Sequence, residues 1–184
     1  LQLQNTRWRL YFGQIQRMAA SCGLRALAWG AALLLLAQIA LGAWVSTNYA
    51  VVACMSWPLC NGQLLPAADY AQGFSLWRSL NHAADGTGIT YQALVGIHLV
   101  HRWFALLAIA ALAALAWRLR ALQPRNAAWL AALLAAQFAT GLANVVLGWP
   151  LLAALLHTGG AAALILVLVR VLVQIKPELA AKAV

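Results

Sequence analysis

Three carboxylates are all that this chain of 184 residues possesses: Asp69, Asp85 and Glu178. With charged residues at 8% and hydrophobic ones at 65%, there is too little polar side chain to cover a water-soluble domain of this size. A soluble globular fold is excluded, and an integral membrane protein is expected. Cysteine is scarce as well, with only Cys22, Cys54 and Cys60. The shortage of acid leaves a net charge of +9, which raises the question of nucleic acid. The basic residues gather at the ends of apolar segments and form no stripe with interleaved aromatics, so they read as membrane orientation signals and not as a nucleic-acid surface. The apolar run 26–45 is longer than a signal-peptide core, and no convincing cleavage site follows it. An opening Leu1 in place of Met leaves the chain either processed or part of something longer.

Four apolar runs, 27–46, 89–117, 127–147 and 151–173, are each long enough to cross roughly 30 Å of hydrocarbon at about 1.5 Å per residue. The fold class is therefore all-α: an integral membrane four-helix bundle with a long external loop between helices 1 and 2. It divides into a cytoplasmic basic segment (1–26), the membrane domain (27–174) and a cytoplasmic tail (175–184). Arginines crowd the segment before the first span (Arg7, Arg9, Arg17, Arg25), the second connection (Arg118, Arg120, Arg125) and the end of the fourth span (Arg170, then Lys176 and Lys182). By the positive-inside rule both termini are cytoplasmic. Trp29, Trp117 and Trp129 then fall at the inner edge and Trp44 and Trp149 at the outer edge, as aromatic belts require; for Trp103 a core-filling role stays open.

That topology makes residues 47–88 one external loop, whereas the other external connection is only Gly148-Trp149-Pro150. Loops so long are usually functional or disordered. Tyr70, Phe74 and Trp77 have the spacing of one helical face, which predicts a surface helix acting as a lid or as an anchor. An internal repeat supports the layout: Ala37-Gln38-Ile39-Ala40-Leu41-Gly42 recurs as Ala136-Gln137-Phe138-Ala139-Thr140-Gly141. Each copy opens a helix pair whose second member carries a histidine. A pseudo-twofold along the membrane normal is predicted, with His101 facing His157.

Ionisable groups inside a span are costly and by default mark function. His98, His101 and Arg102 interrupt the second apolar run, and His157 the fourth. Counting back from Arg118 and Arg170 puts His101 and His157 roughly 20–25 Å from the cytoplasmic helix ends. Two histidines at one depth on two spans provide the two axial nitrogens that a haem iron needs. Gln38, Gly42, Gln137, Gly141, Gly159 and Gly160 offer hydrogen bonds and small surfaces, which suit either a flat macrocycle or plain helix packing. Arg102 would pair with a haem propionate, or else snorkel or cap carbonyls. His98, three residues before His101, reads as a residue behind the ligand or as a core histidine, and His82 in the loop as solvated. Zinc is the competing metal, but no cysteine or carboxylate lies at the same depth to complete a tetrahedral site. Cys54 and Cys60 lie on the external side, where a short disulfide loop can persist, although a redox-active pair stays open; Cys22 is expected to be a free cytoplasmic thiol.

Three stretches in order, Gly42-Ala43-Trp44-Val45-Ser46-Thr47-Asn48-Tyr49-Ala50, Cys54-Met55-Ser56-Trp57-Pro58-Leu59-Cys60-Asn61-Gly62-Gln63 and Ile97-His98-Leu99-Val100-His101-Arg102, together with His157-Thr158-Gly159-Gly160-Ala161, resemble the haem A synthase family of respiratory membranes. The resemblance covers about 38–163; the first 24 residues lie outside its motifs. It implies oxidation of a methyl group of haem O to the formyl group of haem A, for haem-copper oxidase biogenesis in the bacterial inner membrane. It also implies eight helices in two four-helix halves, one holding haem b and the other the substrate haem. The histidines on the second and fourth helices of such a half match His101 and His157. This chain has one half, and its Thr-Asn-Tyr-Ala and cysteine loop look most like the haem b half, the second in proteobacterial members. The half linked to substrate oxidation carries a glutamate where His98 stands here, and no carboxylate of this chain falls within a span.

The sequence thus points to a haem-b-binding domain of haem A synthase type, with haem O as the substrate implied and His98 the one candidate base. The partners expected are membrane lipid and either a second four-helix half, a homo-oligomer or respiratory oxidase and assembly proteins. The rival readings are a b-type electron-transfer cytochrome and a haem-free structural subunit of a respiratory complex.

Overall fold

The computed structural model describes residues 18–79 and 86–177. His82, Asp85, Glu178, Arg7, Arg9, Arg17 and Lys182 lie outside the described residues. Four helices are long and apolar enough to span a membrane: α1 (Cys22–Thr47), α3 (Tyr91–Leu119), α4 (Pro124–Val146) and α5 (Leu151–Gln174). A single-turn helix α2 (Tyr70–Gly73) lies in the loop between α1 and α3, after a 3-10 turn at Ala50–Ala53. The fold is the expected all-α membrane bundle.

Local chemistry sets the helix starts. Ser21 accepts the amide of Leu24 and opens α1 before the apolar run begins; Thr90 does the same for α3 through Ala93, and α4 begins on Pro124, whose missing N–H costs nothing in a first turn. Only 17–28% of each apolar window is buried inside the bundle. The remaining apolar surface faces outward, as lipid requires and water would not tolerate.

The helices form a ring in which α1 packs on α3, α3 on α4, α4 on α5 and α5 on α1. Thus α3 and α5 stand diagonally opposite. A core of Leu24, Ala28, Leu35, Leu112, Leu115, Leu130, Leu164 and Leu168, among others, fills the half of the bundle near the chain ends. There Met18–Ala20 (β1) and Ile175–Pro177 (β2) pair as a short parallel ladder, an addition to the all-α expectation that satisfies backbone groups next to the apolar zone. Asn126 donates to Gln174 at 2.7 Å across α4 and α5 at this same end.

Further up, the core stops. Buried positions jump from Leu35 to Val45 in α1, from Leu99 to Ala108 in α3, from Leu130 to Asn144 in α4, and from Ala153 to Leu164 in α5. All four helices therefore lack buried residues at one level, the level of His101 and His157.

The loop closes the bundle above that band. Trp44 Nε1 donates to the Gly73 carbonyl at 2.9 Å, the Tyr91 hydroxyl to the Ala53 carbonyl at 2.8 Å, and Arg78 to Asn48 Oδ1 at 2.8 Å while lying 5.4 Å from the Trp44 ring. Desolvation there lowers the Arg78 pKa from its ordinary value. The expected helical face over Tyr70, Phe74 and Trp77 is corrected to one turn. The helix ends at Gly73, which packs so tightly on α3 that a Cβ would sit 2.9 Å from the Ala93 carbonyl oxygen, and Trp77 lies past the end, 92% exposed. Trp103 is 42% exposed and so does not fill the core.

Candidate functional site

The repeat read from sequence is also a repeat in space. Gly42 of α1 lies under the His101 ring, where an added Cβ would stand 3.1 Å from Cε1. Gly141 of α4 lies under the His157 ring with the same 3.1 Å. Any side chain at either glycine would push the imidazole away from its helix neighbour. Gln38 donates through Nε2 to the His101 carbonyl at 3.1 Å, and Gln137 donates to the His157 carbonyl at 2.8 Å. Each histidine-bearing helix is thereby fixed to its partner by a glutamine and a glycine one turn apart. Gly160 packs against the Gln137 amide so closely that a Cβ would collide with it, whereas Gly159 meets nothing.

This duplicated clamp brings His101 and His157 from diagonal helices within electrostatic reach of each other. Both rings are only partly buried, at the level where the core is missing. Two imidazoles at a level where none of the four helices has a buried residue match the donor set of a bis-histidine haem. Among the described residues, no three His, Cys, Asp or Glu gather as a metal site.

His98 and Arg102 belong to a second group. His98 is 2% exposed. Its Nε2 accepts from Arg102 Nε at 3.3 Å, and its Nδ1 turns towards the Ala50 carbonyl without closing a hydrogen bond. Arg102 then reaches into the loop, donating through Nη2 to the carbonyls of Cys54 at 2.8 Å and Ser56 at 3.0 Å, and through Nη1 to Leu59 at 3.5 Å. Arg102 thus caps loop carbonyls, one of the roles its place in the sequence allowed. Cys54 and Cys60 are joined in a disulfide and are buried against Val95 and Leu99; Cys22 is free and exposed. Trp57, within the disulfide loop, meets Phe138 of α4 edge to face at 6.0 Å.

Sequence reasoning missed Thr140. Its hydroxyl lies 3.0 Å from His157 Nδ1. The available signal was a hydroxyl next to the repeat glycine, at a position occupied by Leu41 in the first copy.

Residues 1–169 match the COX15-CtaA family of cytochrome oxidase assembly proteins. The chain belongs to this family. The match reaches further towards the N-terminus than the motifs read from sequence. Among curated relatives, the chain is 37% identical to "Heme A synthase" of Shewanella oneidensis over 139 residues, 74% of this chain and 42% of that protein. It is 40% identical to "Heme A synthase" of Erythrobacter litoralis over 93 residues, covering 50% of this chain and 24% of that one. It is 37% identical to "Heme A synthase" of Symbiobacterium thermophilum over 143 residues, 74% and 39%. The chain spans less than half the length of the relatives it matches. No solved structure matches it significantly. As a member of the COX15-CtaA family with four spanning helices, it is a multi-pass membrane protein.

Proposed function

We propose that this chain is a haem-b-binding membrane domain of haem A synthase type, taking part in the oxidation of haem O to haem A for oxidase assembly. The observation that carries this reading is the duplicated glutamine and glycine clamp holding His101 and His157 across the interrupted core. His101 and His157 would hold the iron, and a bound haem b would supply reversible one-electron transfer there. The loop excludes water above it, because Arg102, Tyr91 and Trp44 tie the loop backbone to the bundle. His98 serves as a strut under that loop: with Nε2 accepting from Arg102, it presents no open basic nitrogen to a substrate. No carboxylate lies in the four spanning helices, so a proton acceptor for methyl oxidation has to come from elsewhere.

The test is purification from cells that make haem O and lack their own synthase, followed by haem extraction. The chain alone is expected to carry haem b and to form no haem A. Haem A formed by this chain, and abolished in His98→Ala, would overturn the cofactor role in favour of a half-length enzyme. Bound haem b with no haem A even beside a complementary four-helix half would favour a plain b-type cytochrome.

The arginine distribution supports cytoplasmic termini and a periplasmic Cys54 to Cys60 loop in the inner membrane. A membrane-impermeant thiol reagent applied from the periplasmic side is expected to modify Cys54 and Cys60 only after reduction, and never Cys22. Labelling of Cys22 from that side would invert the topology.

A further inference from the structure

The two clamps are alike except at one atom of each ring. In the first, Gln38 Nε2 stands 3.1 Å from the His101 carbonyl, 3.0 Å from His101 Nδ1 and 3.4 Å from His101 Nε2. A carbonyl oxygen only accepts, so the atom facing it is the amide nitrogen and not the amide oxygen. Its second hydrogen is then taken by the nearer ring nitrogen, Nδ1, which accepts. A neutral imidazole accepting at Nδ1 carries its proton on Nε2.

In the second clamp Gln137 reaches only the carbonyl, and Thr140 takes the ring. The Thr140 hydroxyl lies 2.8 Å from the Ala136 carbonyl and 3.0 Å from His157 Nδ1. Its single proton goes to the carbonyl one turn back, which has none to offer, so the oxygen accepts from Nδ1–H. His157 then keeps a free lone pair on Nε2. The repeat would place Leu41 at the position of Thr140, so the first copy has no hydroxyl to do this.

We infer that Thr140 is a positioning residue which holds His157 as the Nδ1–H tautomer, ready to bind a metal through Nε2, while Gln38 holds His101 in the opposite tautomer. His157 would then hold a haem iron as it stands, whereas His101 would first need its ring proton moved from Nε2 to Nδ1. That consequence rests on the haem-binding reading; the tautomers do not.

The experiment has a ligand-free part and a haemin part. Nitrogen NMR of histidine-labelled, haem-free protein in detergent, with each resonance assigned by removing one histidine at a time, is expected to show Nδ1–H for His157 and Nε2–H for His101. In Thr140→Val, which keeps the shape and loses the hydroxyl, the His157 preference disappears, and Thr140→Ser restores it. Haemin titration followed by absorbance is expected to weaken about tenfold in Thr140→Val, the low end for a lost partner of a ligating histidine, and to recover in Thr140→Ser. The same tautomer at both histidines, or an unchanged His157 resonance and haemin affinity in Thr140→Val, would overturn the assignment. Wild-type protein that takes up no haemin but shows the two tautomers would overturn the haem reading, leaving the role of Thr140 in place.

Discussion

Replacing both His101 and His157 with alanine is expected to abolish haem binding, and replacing either one to remove the low-spin b-type spectrum. Both clamps present an imidazole at the level where all four helices lack a buried side chain, and a six-coordinate low-spin iron needs two such nitrogens. A single replacement leaves one ligand. His101→Ala, which keeps the ligand held by Thr140, is expected to retain more haem than His157→Ala. Reduced-minus-oxidised spectra with haem extracted per mole of protein measure all of these. Glycine offers a gentler route to the same result: Gly141→Leu needs no change in the ligand, yet its side chain must displace the His157 ring, since even a Cβ would stand at 3.1 Å. A double alanine variant with an unchanged spectrum would remove the ligand assignment altogether.

Arg102→Leu is expected to loosen the disulfide loop and to cost about 3 kcal/mol, on the scale of hydrogen bonds to charged groups and of carbonyls left without a donor. One guanidinium serves the carbonyls of Cys54, Ser56 and Leu59 together with His98 Nε2. Leucine fills much of the volume and supplies none of the donors. For a chain of this size such a loss lowers the melting temperature by roughly 6–12 °C. Thermal unfolding in detergent and protease nicking between residues 54 and 60 are the measurements. If melting and nicking stay unchanged while haemin affinity falls, Arg102 acts on a propionate and not on the loop.

The membrane class and the four spans were legible without any structure, because a bilayer imposes one length and one polarity on every helix that crosses it. Scarce acid, clustered arginine and apolar runs carry that information directly. The level of His101 and His157 was legible for the same reason: a helix advances by a fixed rise per residue. The repeat around Gln38 and Gln137 was visible too, but as a weak match in an alanine-rich chain. Only packing turned it into a pair of clamps, with Gly42 and Gly141 each seated under an imidazole.

The division of the polar residues was decided by tertiary structure alone. His98 and His101 are three apart on one helix, yet one ring is covered by the loop and the other faces the interrupted core. That split depends on where a loop reached by no periodicity comes to rest. Arg102 can extend to a propionate or to a carbonyl with equal ease, and its direction was set by the loop carbonyls that folding brought within reach. Thr140 resembles any other hydroxyl in a span until α4 and α5 pack. The sequence by itself determined the solvent, the number of apolar spans and the common level of the two histidines, since these follow from composition and rise. Which nitrogen of each ring is held, and by what, follows from contacts between helices distant in the chain, and only the packed bundle decided that.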